Sequence, residues 1–170
     1  MWGDGLKTKK IAVMGLLLAL TFALSAVETA VSAGLPAGVR IGLANIVVML
    51  ALLSMGKKEA LTIVVAKSVF ILITKGVTAF MLSLCGGVAS FIAVLLLIKS
   101  EKNSLILISV AGALVHNIAQ LIAASLILKN INTLFYAPVL IIAGVIAGSA
   151  TGTVIKITLP AVKKAVNDNK

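Results

Sequence analysis

Six apolar runs of about twenty residues dominate this chain, each long enough to cross the roughly 30 Å hydrocarbon core of a bilayer as a helix. They cover 11–32, about 38–55, 58–75, about 77–98, 104–128 and about 132–155, and the second and third are the shortest. Backbone polar groups in lipid must be satisfied within the chain, so such runs are read as helices. The expectation is an all-α fold: an integral membrane bundle of six transmembrane helices forming one polytopic domain over residues 1–170. Composition agrees, with 61% hydrophobic and 12% charged residues, where soluble domains carry about 25% charged.

The first run has a rival reading as a secretory signal, because Lys7, Lys9 and Lys10 precede it and small residues, Ser32 and Ala33, follow. Its stretch from Ile11 to Val27 exceeds the usual length of roughly 7–15 apolar residues in a signal, and five more runs come after it. A membrane span is the better reading.

Lysine placement gives the orientation. With the N-terminus inside, the inner segments hold Lys7, Lys9, Lys10, Lys57, Lys58, Lys99, Lys102, Lys156, Lys163, Lys164 and Lys170, which is eleven of the fifteen basic residues. The outer loops hold Arg40, Lys75 and Lys129, and Lys67 stays inside a span. This bias predicts both termini in the cytoplasm. The net charge of +10 is then mostly a topology signal, suited to anionic lipid headgroups. No basic patch interleaved with aromatics argues for nucleic acid.

Several chemistries are excluded by what the chain lacks. Cys85 is the single cysteine and His116 the single histidine, and Asp4, Glu28, Glu59, Glu101 and Asp168 are scattered, so no metal-ligand spacing exists. Clustered aspartates that would hold magnesium on a diphosphate are absent, as are a GxxxxGK[ST] phosphate loop and a nucleophile elbow. The chain reads as no enzyme by itself and calls for no cofactor. Work driven by ATP would need a partner.

What remains is a set of polar residues inside the spans. Lys67 interrupts LTIVVAKSVFILIT near the centre of the third run, at a cost of about 2.5–3.5 kcal/mol unless water or a partner meets it. It is either a structural hydrogen bond, to a carbonyl or to Glu28, or a cation facing a ligand. Glu28 lies near the outer end of the first run, to pair with Arg40 or Lys67 or to meet a substrate. Arg40 sits in GLPAGVRIGLANI, where Gly34, Pro36 and Gly38 suggest a turn. Asn45, a little further on, either bridges helices or binds ligand.

The fifth run is the most informative. His116 and Gln120 are four apart and Asn117 and Gln120 three apart, so all three line one helix surface. His116 falls near the midplane and Gln120 one turn outward. With Glu28, Arg40, Asn45 and Lys67 they outline a pocket opening outward if the helices converge, and its bases predict a ligand with an anionic group.

Small residues make a second pattern. Gly144, Gly148 and Gly152 repeat the GxxxG spacing, which lets another helix approach closely. Gly15, Ala19 and Ala23 share that spacing, with Ala26 and Ala30 on a neighbouring stripe.

The segments GVRIGLANIVVMLALLSMGKKEAL, LCGGVASF and SVAGALVHNIAQL together resemble a family of small membrane proteins called heptaprenyl diphosphate synthase component I, or the Gx transporter family. The resemblance runs from about Ile11 to Gly152, and its most specific pieces are Gly42 to Ile46 and His116 to Gln120. Lys67 stands where that family often has arginine, keeping the charge without the bidentate geometry.

The family is similar in architecture to S components of energy-coupling-factor transporters, six-helix proteins with an outward-opening pocket. Their AxxxA patterns meet a coupling subunit, and Ala19 with Ala23 and Ala26 with Ala30 match such patterns. The resemblance thus implies a substrate-binding subunit in a bacterial cell membrane, taking up a small, anionic molecule with a membrane coupling subunit and an ATPase pair as partners. The alternative is a membrane accessory subunit of polyprenyl diphosphate synthesis, for the heptaprenyl chain of menaquinone. A scaffold without ligand is the third reading.

The topology is directly testable. Green fluorescent protein fused after Lys170 is expected to fluoresce and alkaline phosphatase at the same place to stay inactive, whereas an active phosphatase would reverse the assignment.

Overall fold

A computed structural model describes residues 3–32, 42–100 and 103–167. The described residues form six α-helices: α1 (Gly3–Ser32), α2 (Asn45–Ser54), α3 (Lys57–Lys75), α4 (Val77–Ile98), α5 (Leu105–Ile127) and α6 (Ala137–Asn167). A 3₁₀ turn, Ile131–Tyr136, leads into α6. Among the described residues there is no strand.

Helices α2 to α6 alternate in direction because the links between them are short. Gly56 (φ 125°) joins α2 to α3 and Gly76 (φ 84°) joins α3 to α4, both in backbone conformations that residues with a Cβ rarely adopt. Ser104 starts α5 by accepting a hydrogen bond from the Leu107 N–H at 3.2 Å. An ion pair between Lys10 and Glu59 puts the starts of α1 and α3 at the same end of the bundle. Higher up, Phe22 of α1 stacks on Phe70 of α3 with ring centroids 4.8 Å apart.

Four helices are long and apolar enough to cross a membrane: Thr8–Ala30 in α1, α4, α5, and Ile131–Val166. The inside-out distribution of polarity fits that solvent. Ile73 is 79% exposed and Phe135 82%, while Thr21, Ser68 and Lys67 are buried. This is an all-α membrane protein.

Two expected runs differ in the structure. Within the described part of the run expected over 38–55, which begins at Gly42, the helix covers Asn45–Ser54, ten residues or about 15 Å, half of the hydrocarbon thickness. It starts late because Gly42 (φ 80°) forms a turn in which the Asn45 N–H donates to the Gly42 carbonyl at 2.9 Å. The last run, expected to end near 155, continues as helix to Asn167, and Pro160 does not end it. Lys156, Lys163 and Lys164 are therefore part of α6. Helix α3 reaches across by length but carries Lys57, Lys58, Glu59, Lys67 and Lys75.

The tightest packing joins α5 and α6. A Cβ on Gly148 would lie 2.5 Å from the Val110 Cα, one on Gly152 2.7 Å from the Ile106 Cα, and one on Gly144 3.1 Å from the Leu114 side chain. Steps of four on both helices bring their backbones together over two turns. The stripe Gly15, Ala19, Ala23, Ala26 and Ala30 instead faces outward, and nothing lies within 4 Å of a Cβ on Gly15.

Gly148→Leu is therefore expected to destabilise the detergent-solubilised protein by about 1–3 kcal/mol through overpacking, with Gly15→Leu within about 0.5 kcal/mol of wild type. Thermal unfolding followed by size-exclusion chromatography measures both.

Candidate functional site

Helices α2 to α6 line a partly open cavity. Its apolar wall is built largely from Val48, Met49, Leu52, Val64, Phe91 and Val94. Its polar wall contains Asn45, Lys67, Ser83, Ser90, Ser109 and Thr151. Gly87 and Gly112 also line it, where a Cβ would come within 2.9 Å of Val64 and 2.8 Å of Val94. Small residues on α4 and α5 thus keep these walls close without filling the space between them.

The charge of the site comes from α3. Lys67 is only 5% exposed, and its ammonium donates to the Asn45 Oδ1 at 2.9 Å. The Gly42 turn sets this geometry by placing Asn45 in the first turn of α2. That turn is held in its own right, since the Gly42 N–H donates to the Glu28 Oε1 at 2.7 Å and Glu28 is buried. A chain of contacts runs Glu28, Gly42, Asn45, Lys67 from α1 to α3. It delivers a desolvated cation to the cavity wall, where an anionic group gains most from it.

The expected cluster divides into parts. Lys67 and Asn45 line the cavity, and Glu28 reaches it through Gly42, which is itself a lining residue. Arg40 lies outside the described residues. His116 and Gln120 are buried between α5 and α4, beside Gly86, whose Cβ would lie 3.0 Å from the His116 ring and 2.6 Å from the Gln120 Cγ. Asn117 donates from Nδ2 to the Leu140 carbonyl of α6 at 2.9 Å and so bridges two helices. None of these three lines the cavity.

Sequence reasoning missed the hydroxyl groups of the polar wall. Ser83 and Ser90 are seven apart on α4 and share a face, as do Ser109 and Gly112 on α5. That spacing was the available signal, masked by how readily serine is accepted in a membrane helix. Among the described residues, no three His, Cys, Asp or Glu side chains come together as a metal site would need.

These features define a helical membrane protein with an internal, mainly apolar cavity carrying one buried lysine. Residues 17–158 match the family described as heptaprenyl diphosphate synthase component I, and the chain belongs to that family. Neither a curated protein nor a solved structure matches it.

Proposed function

We propose that this chain is a non-catalytic membrane subunit of a two-part prenyl diphosphate synthase, and that its contribution is to hold a small anionic molecule in the cavity beside Lys67. Two findings support this: the family is named as one component of such a synthase, and the cavity carries a buried cation. The five acids of the chain are too scattered to bind the magnesium of diphosphate chemistry, so bond formation falls to a partner subunit. The observation that carries the reading is Lys67. In a membrane span a lysine turned away from lipid needs a polar surrounding, and its position in a cavity wall fits recognition of negative charge.

A second reading, uptake of the anionic molecule by a substrate-binding subunit served by a membrane coupling subunit and an ATPase pair, is favoured by one observation. The small-residue stripe of α1 faces away from the bundle, a surface that another membrane helix can approach closely.

Copurification separates the two. A tagged full chain isolated from native membranes is expected to bring down a soluble prenyltransferase subunit whose product length or activity changes when the chain is removed. Recovery of an ATPase pair and a membrane coupling protein without a prenyltransferase would overturn the synthase reading.

A further inference from the structure

Eight hydroxyl groups on these helices are occupied by their own backbone. Thr21, Thr29, Ser54, Thr62, Ser68, Thr74, Thr153 and Thr158 each donate to the carbonyl four residues back at 2.6–2.9 Å. Ser90, Ser109 and Thr151 do not. Each is more than nine-tenths buried, each lines the cavity, and none makes a hydrogen bond to another described residue. In an apolar surrounding, that arrangement leaves three hydrogen-bonding groups directed at whatever fills the cavity.

The three lie together and away from the cation. Gly112 connects them on one side, because its Cβ would sit 3.3 Å from the Ser90 Oγ. Gly152, the neighbour of Thr151, connects them on the other, its Cβ 3.2 Å from that of Ser109. Lys67 is level with Ser83, since Ser68 Oγ and Ser83 Oγ are 3.3 Å apart. From Ser83 to Ser90 along α4 is seven residues, or about 10 Å. Between the two polar ends the wall is largely Val48, Val64 and Phe91.

We infer that the cavity takes a slender two-ended ligand: an anionic group at Lys67 and Asn45, a mainly apolar middle, and a neutral hydroxyl or carbonyl group about 10 Å away at Ser90, Ser109 and Thr151. A ligand with a plain hydrocarbon end, a prenyl diphosphate included, buries the three hydroxyls against carbon and is disfavoured. The cavity therefore selects at both ends. This inference rests on the proposed binding role of the cavity but not on which partner the chain serves.

Titration calorimetry on the full-length protein in detergent, with octanoate, 8-hydroxyoctanoate and geranyl diphosphate as probes, tests it. The expected result is binding of 8-hydroxyoctanoate about tenfold tighter than octanoate, the scale of one or two added hydrogen bonds, and tighter than geranyl diphosphate. In the double variant Ser109→Ala, Thr151→Val the preference should fall towards one, with 8-hydroxyoctanoate bound more weakly and octanoate, which no longer buries those hydroxyls, at least as tightly as by the wild type; the retained octanoate binding also shows that the variant is folded. Three results overturn the inference: no binding of 8-hydroxyoctanoate, equal or tighter binding of octanoate or geranyl diphosphate, or an unchanged preference in the double variant. Recovery of a prenyltransferase in the copurification experiment is independent of all three, so the inference can fail while the synthase reading stands.

Discussion

Lipid offers a polar side chain nothing to bond with, and the hydrogen bond from Lys67 to Asn45 is where that constraint bears hardest on this bundle. A buried ammonium needs an oxygen, the oxygen needs α2 to begin where it does, and that start depends on the Gly42 turn held by Glu28. Three helices are thereby tied to a single charge. Removing the asparagine would leave a buried cation without this partner.

Glycine does the complementary work on the other side of the bundle. On α6 it removes side chains so that α5 and α6 touch along their backbones. Gly86 of α4 makes room instead for His116 and Gln120, and Gly87 and Gly112 let helices close around the cavity without filling it. Packing and opening thus come from the same residue type, depending on what faces it. The outcome is a bundle whose tightest contact lies beside an internal cavity, with the polar lining drawn from five helices.

Much of this was legible in the sequence where a residue's chemistry alone dictates its place. Val77–Ile98 and Leu105–Ile127 coincide closely with the apolar runs, because a continuous hydrophobic stretch bounded by Gly76 and by Ser104 has one helical solution. Lys67 and Asn45 stood out as polar groups in apolar runs and do line the cavity. The stripe of His116, Asn117 and Gln120 was visible too, but helical spacing says only which residues share a face, not what that face meets. The structure turns Asn117 to the Leu140 carbonyl and sets the other two against α4. The short α2 was hidden because hydropathy does not register a glycine turn. Ser90, Ser109 and Thr151 were hidden because a serine satisfied by its own helix and one facing a cavity look alike until hydrogen bonds can be followed.

The central claim is that the cavity beside Lys67 holds a small anionic molecule. Native mass spectrometry of the full chain released from gently solubilised membranes tests it most directly. A single small-molecule adduct on the wild-type protein, lost in Lys67→Met while the variant remains folded, is the predicted result. Identical spectra for both proteins, bare or carrying only lipid, would contradict the claim and leave Lys67 as a strut between helices.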